Sequence, residues 1–301
     1  MKRRDQEPEP TNPPERKPGD PPQPLRPPEE KGPRPAYSNP AFIESPSARG
    51  LRILSEYMEP NARFKRYKID DTIIFFGSAR ILPRDEAERR LAVAKEEGAK
   101  EEDADLVVAE RNLEMSRYYE ATRELARRLT EWSKSLPEDD RRFVVCSGGG
   151  PGIMEAANRG ASEARGLNIG LNISLPMEQI DNPYISRELN FEFHYFFMRK
   201  FWFAYLAKAV VVMPGGFGTL DEFFELLTLV QTGKIRKKMP IVLFGSRYWS
   251  EVINMEALER YGTINAQDLE LFFRTDSVDE AFDYITDQLQ SHAIDIPGPR
   301  L

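Results

Sequence analysis

From residue 70 onward, short apolar runs alternate with longer stretches whose apolar side chains recur every three or four positions. Thr72–Phe76, Phe143–Cys146, Asn168–Leu175, Ala209–Met213 and Ile241–Phe244 are runs rich in aliphatic and aromatic residues, and each reads as a buried strand. Leu269–Arg274 reads as a last, weaker strand. Helical spacing predicts helices over 84–104, 110–135, 153–165, 198–208, 219–232, 248–261 and 278–291. In the second of these, Leu113, Tyr118, Ala121, Leu125 and Leu129 form the expected buried stripe. An aromatic segment, Phe191–Phe197, precedes the helix at 198. Apolar strands alternating with helices predict an α/β fold: a doubly wound parallel sheet with helices on both faces, in a single domain.

The pattern fails before residue 51. Residues 1–50 hold more than half of the 24 prolines, mixed with charged residues, and are almost free of apolar ones before Tyr37. Such a segment buries too little surface to offset chain entropy, so we read 1–50 as a disordered Pro-rich tail. Its basic start is not followed by an apolar stretch, which argues against a signal peptide. The folded domain is then 51–295, with a charged helical segment at 84–110.

Composition narrows the chemistry. No apolar run approaches the ~18 residues that span a bilayer. A lone cysteine, Cys146, leaves no intrachain disulfide framework and fits a reducing, cytoplasmic setting. Only two histidines, His194 and His292, are present, so a His-rich metal site is not expected. A net charge of −7 gives no nucleic-acid footprint.

Three small-residue turns follow predicted strands: Gly77-Ser78, Gly148-Gly149-Gly150-Pro151-Gly152 and Gly215–Thr219. In open parallel sheets, ligands bind beyond the carboxyl ends of the strands. The third turn lies in MPGGFGTLDEFFE, residues 213–225, where strand, glycine turn and helix follow directly. Free N–H groups at such a helix start, the helix dipole and a hydroxyl from Thr219 make an anion cup, with Glu222 on its rim. The second turn is not a dinucleotide fingerprint. Counting from Gly148, the sixth position is Ile153, and Asn168–Leu175 contains no acidic residue. No Walker A pattern is present.

Each candidate has a plainer explanation. A single glycine turn can be a tight connection and nothing more. Arg199 and Lys200 can be solvated, yet cations at a helix start oppose the dipole, and Phe196, Phe197, Phe201 and Trp202 suggest burial. A buried guanidinium calls for an anion. Acidic residues are welcome in a first helical turn, an explanation that suits Asp221 better than Glu222. Glu225 suits a solvated face or a helix pair, and Glu178 lies in a loop past a strand end. His194 reads as packed and hydrogen-bonded, Cys146 as buried, and Trp202, Tyr205 and Trp249 as core.

Taken together, SGGGPGIMEAANRGA, then MRK, then thirteen residues, then PGGFGTLDE resembles the lonely guy (LOG) family, whose members carry the label lysine decarboxylase. The pattern PGGxGTxxE is complete at Pro214, Gly215, Gly216, Gly218, Thr219 and Glu222, with Arg199-Lys200 upstream. GLNISLPMEQ and FEFHYFFMRK look like the longer bacterial branch. The resemblance covers roughly residues 70–290 and implies a Rossmann-like fold and a homo-oligomer, with sites shared between subunits. It implies a nucleoside 5′-monophosphate phosphoribohydrolase that releases free base and ribose 5-phosphate from AMP or cytokinin nucleotides. Arg199 and Glu222 match the family's catalytic pair. Its substrate contacts would fall on Gly77, Ser78, Gly148, Gly149, Gly150, Met154, Lys200, Gly215, Gly216, Phe217, Gly218, Thr219, Asp221 and Thr228, and less securely on Glu178. No metal and no organic cofactor are expected. The alternative within the same fold is a carrier or regulator that binds a nucleotide or the molybdenum cofactor without hydrolysis. A lysine decarboxylase would need a Schiff-base lysine, and no lysine here has that setting.

Overall fold

The computed structural model describes residues 34–96, 103–137, 141–175 and 182–298. The chain divides into two compact units, 1–50 and 51–301. In the first, the described residues carry 3-10 turns at Ala36–Ser38 and Pro46–Ala48 and a short helix, α1 (Pro40–Ile43). These turns fall inside the segment expected to be structureless.

The second unit holds α2 (Arg49–Arg66, which begins at the unit boundary), β1 (Thr72–Phe76), α3 (Arg84–Glu96), α4 (Ala104–Ser135), β2 (Val144–Ser147) and α5 (Ile153–Glu163). Then follow β3 (Asn168–Ile173), β4 (Asn190–Phe193), α6 (Phe196–Leu206), β5 (Ala207–Val212) and α7 (Phe217–Gln231). β6 (Ile241–Phe244), α8 (Ser246–Val252), α9 (Met255–Arg260), β7 (Phe273–Thr275) and α10 (Val278–His292) complete it. The seven strands form one parallel sheet in the order β4-β3-β2-β1-β5-β6-β7. The order reverses between β1 and β5, where a crevice opens at the carboxyl ends.

Strand alternation sorts the core onto two faces. Ile74 and Phe76 of β1 face one layer, with Trp202 and Phe203 of α6, Phe223 of α7 and Trp249 of α8. Ile73 and Phe75 face the other, with Leu125 and Leu129 of α4, Ile153 and Ala157 of α5, and Ile285 and Leu289 of α10. The doubly wound α/β expectation therefore holds, with helices on both faces.

Several boundaries differ from the sequence reading. α4 begins at Ala104, six residues before its expected start, and runs unbroken through Ser135, while α3 covers Arg84–Glu96 among the described residues. Ala94, Leu106 and Ala109 bury against one another, so α3 packs on the start of α4. The aromatic segment divides, Phe191 and Phe193 going to β4 and Phe196 and Phe197 to α6. The expected 248–261 helix is two helices, the second capped by the Asn254 side chain, which accepts the Ala257 N–H at 2.8 Å. The expected strand at 269–274 is a 3-10 turn, Ala266–Leu271, followed by β7.

Lys208 belongs to β5, not to the end of the preceding helix. It is 2% exposed and lies 3.3 Å from the buried carboxylate of Asp71. Arg142 pairs with the same carboxylate and donates to the Ala293 and Ile294 carbonyls at 2.6 and 2.9 Å. Burial raises the Asp71 pKa against the pull of both cations. This cluster sits at the amino ends of the strands, away from the crevice.

Candidate active site

The three small-residue turns meet, as their positions in the sheet require. The Ser78 N–H donates to the Pro214 carbonyl at 3.0 Å, and the Ile153 N–H donates to the Ser78 carbonyl at 3.1 Å. β5, β1 and the start of α5 are thereby tied at one point. Gly152 has a φ of +72°, and a Cβ there would lie 2.4 Å from the Ser78 oxygen, so only glycine permits this approach. A Cβ added to Gly148 would sit 2.7 Å from Met154 Sδ and 3.8 Å from Arg199 Nη1, which places the second turn beside α6. The side chain of Met154 also lies against Gly150.

At the third turn, α7 starts at Phe217, two residues before its expected start. Its N-cap, Gly216, has no side-chain cap, so the first N–H groups of α7 have no acceptor within the helix. Gly216 and Gly218 border open space, whereas Thr219 is buried with its hydroxyl beside Gly215. The Tyr248 hydroxyl donates to the Gly215 carbonyl at 3.0 Å and pins the turn from α8. Phe217 is 92% exposed. Because α7 starts early, Asp221 and Glu222 fall beyond its first turn. The dipole explanation for these carboxylates is weakened accordingly.

Glu222 and Arg199 meet here. Arg199 Nη2 donates to Glu222 Oε1 at 3.1 Å, with side chains 13% and 7% exposed. The guanidinium stands 5.4 Å from the Phe196 ring and 5.6 Å from the Phe203 ring, and its Nε has no hydrogen-bond partner among the described residues. Loss of water pushes the Glu222 pKa up to about 7 despite the attraction of Arg199 and Lys200. A desolvated carboxyl poised near neutrality beside a fixed cation suits chemistry in which charge or a proton moves.

Lys200 points elsewhere. Its ammonium is held by Asp221 Oδ2 and Glu225 Oε2, each at 2.8 Å. Burial opposes that charge, but the two carboxylates outweigh it and raise the Lys200 pKa. Lys200, Phe217, Asp221 and Thr228 line a shallow groove of about 570 Å³ along α7. Thr228 therefore shares a surface with Lys200, and its hydroxyl donates to the Phe224 carbonyl at 2.7 Å. Glu178 lies outside the described residues. His194 is exposed, not packed as expected, and its backbone N–H donates to Glu56. Cys146 is buried, and desolvation raises its thiol pKa.

The sequence reading missed a buried polar network behind the second turn. The Ser147 hydroxyl accepts the Gly149 N–H at 3.0 Å and donates to Asn158 Oδ1 at 2.6 Å. The Asn158 amide donates to Asn168 Oδ1 at 2.9 Å, and Asn182 donates back to Asn158 at 3.0 Å. The available signal was Asn158 itself, a polar residue on the face of α5 that carries Ala157 and Ala161. Among the described residues, no group of three or more His, Cys, Asp or Glu side chains could hold a metal ion. No described helix is long and apolar enough to cross a membrane.

Fold and site together define a doubly wound α/β protein with a glycine-lined crevice at its switch point and a desolvated Arg–Glu pair within it. Residues 154–285 match the model of the family described as "Possible lysine decarboxylase". The complete PGGxGTxxE pattern lies inside that span, and the match supports a LOG-like protein. No curated protein sequence matches it. Among solved structures, it is similar to the structural-genomics target TM1055 at 21% identity, covering 72% of this chain and 99% of that one, with a TM-score of 0.42. The molybdenum cofactor carrier protein of Chlamydomonas reinhardtii is similar at 18% identity, with 73% and 99% covered and a TM-score of 0.41. A molybdenum cofactor binding protein of Rippkaea orientalis shares 19% identity over 57% of this chain and 86% of its own, with a TM-score of 0.37. Likeness at this level carries no statement about what this chain binds.

Proposed function

We propose that the protein hydrolyses the N-glycosidic bond of nucleoside 5′-monophosphates, releasing free base and ribose 5-phosphate. The observation that carries this reading is the desolvated Arg199–Glu222 pair in a crevice where three glycine turns converge. The uncapped start of α7 offers N–H groups and a helix dipole to the 5′-phosphate. Binding energy from that phosphate then holds the sugar in place. Breaking the glycosidic bond builds positive charge on the ribose, which the Glu222 carboxylate stabilises while orienting water. Arg199 keeps its proton, so it does not act as an acid. It steadies the phosphate or the departing base by hydrogen bonds, and its Nε is available for this. On this reading Gly77, Ser78, Gly148, Gly149, Gly150 and Met154 contact the nucleotide, and Gly215–Thr219 receive its phosphate. Lys200 is engaged by two carboxylates, so it is not placed as a free amine for Schiff-base chemistry.

The test is incubation of the full chain with a panel of nucleoside monophosphates, read by chromatography for free base and ribose 5-phosphate. Base is released, and adenosine, which lacks the phosphate, reacts poorly. Tight binding without release from any nucleotide would leave a carrier in place of a hydrolase.

A further inference from the structure

Helix α2 lies outside the span matched by the family model, yet it grips the helix that carries Arg199. Pro60 stands inside α2. Proline has no N–H, so the carbonyl four residues earlier, that of Glu56, loses its helical donor. The indole Nε1–H of Trp202 takes that carbonyl at 2.9 Å, three residues beyond Arg199 on α6. The Glu56 side chain reaches the other end of the same stretch. Oε1 accepts the His194 N–H at 2.9 Å and Oε2 the Tyr195 N–H at 3.2 Å. The Tyr195 carbonyl in turn accepts the Met198 and Arg199 N–H groups at 3.1 and 3.2 Å. A single residue of α2 thus holds α6 before and after Arg199.

This is more than general packing. Tyr195 is the N-cap of α6 and supplies no side-chain cap, and the first turn has no acidic residue. Glu56 provides from another helix an acceptor for the N-cap N–H, as the glutamate of a capping box does from within one, and the negative charge that the helix start favours. Other residues of α2 make contacts of their own. Tyr57 stacks on Trp202 at 5.7 Å between centroids, and Arg63 donates to the Glu188 and Asn190 carbonyls at 3.2 and 3.1 Å.

We infer that Glu56 is a positioning residue for Arg199, capping α6 from outside and fixing the orientation in which the guanidinium meets Glu222. The kinetic consequence rests on the hydrolase reading; the positioning itself does not. The charged groups around Glu222 are Arg199 and Lys200 from α6 and Asp221 and Glu225 on α7. If Arg199 swings away, Glu222 loses attraction and titrates at higher pH.

Full-length Glu56→Ala, Glu56→Gln and Arg63→Ala are compared with wild type. Hydrogen–deuterium exchange is followed at the amides of 194–200, and the Glu222 carboxyl is titrated by ¹³C NMR. In Glu56→Ala, exchange at 194 and 195 rises roughly tenfold, the scale of one lost hydrogen bond, and the Glu222 titration moves up by about 0.5 pH unit or more. Glu56→Gln keeps part of the protection, because its amide oxygen still accepts. Arg63→Ala, which loosens α2 away from the α6 start, leaves both readouts at their wild-type values. Unchanged exchange in Glu56→Ala, or faster exchange with an unmoved Glu222 titration, overturns the assignment. Neither readout needs turnover, so a wild type that releases no base sinks the hydrolase reading while this test still decides the role of Glu56. Where turnover is present, kcat of Glu56→Ala falls by about tenfold with a smaller change in KM, as expected when a transition-state contact is misplaced.

Discussion

Replacing Glu222 by Gln separates what the carboxylate does for chemistry from what it costs the fold. The side chain is 7% exposed, and burial raises its pKa from 4.5 to about 7. The attraction of Arg199 opposes that rise and is already contained in it. In the unfolded chain the group loses its proton near the ordinary carboxylate value. The folded state holds the proton until about pH 7 and so binds more protons between those limits. Stability contributed by the protonated form is complete below the unfolded pKa and is lost as pH climbs through the folded one. The displacement corresponds to about 3 kcal/mol, at about 1.4 kcal/mol per pH unit. Gln has the shape of the protonated acid, can still accept from Arg199 and cannot ionise. Glu222→Gln is therefore expected to match wild type near pH 4 and to exceed it by about 3 kcal/mol near pH 8. Parallel urea unfolding across that range, taken as the difference between the two proteins, cancels titrations they share. Turnover of nucleoside monophosphate by the same variant falls by ~10²-fold or more, the scale for losing a key electrostatic group. A flat stability difference, or a variant less stable than wild type at the alkaline end, would refute the claim that burial governs this carboxyl.

The other predictions concern the frame around the pair. Gly149→Ala places a methyl group 2.2 Å from Asn172 Oδ1 at a φ of +74°, so the second turn must shift. Calorimetry is expected to show weaker nucleotide binding, together with roughly 1–3 kcal/mol of lost stability. Asn158→Ala strands the partners on Ser147, Asn168 and Asn182 and is expected to cost about 3 kcal/mol or more in urea unfolding, since each unpaired buried group costs about 1–3. Leu129→Ala opens a cavity between α4 and the sheet far from the crevice. It is expected to lower stability by about 2–5 kcal/mol while leaving kcat unchanged, and a fall in kcat would show coupling that the fold does not suggest.

By itself the sequence determined the class of fold and the place of most strands along the chain, and it marked Arg199 and Glu222 as a candidate pair. Buried parallel strands are written as uninterrupted apolar runs, so β1 and β6 fall at their expected residues. Glycine turns at strand ends, with Arg199 and Glu222 at a fixed distance along the chain, marked the crevice because backbone approach and anion binding restrict residue type locally. Tertiary structure alone decided which charges end together. Lys208 closed an expected helix along the chain, yet it lies in β5 with Asp71 and Arg142 brought beside it from distant segments. Lys200 and Arg199 are adjacent in sequence, yet one is spent on Asp221 and Glu225 and the other on Glu222, because neighbours on a helix point in different directions. Glu56 carried no local signal at all. Its contacts at the entry to α6 span 138 and 139 residues, a separation that no periodicity records and only packing brings into reach.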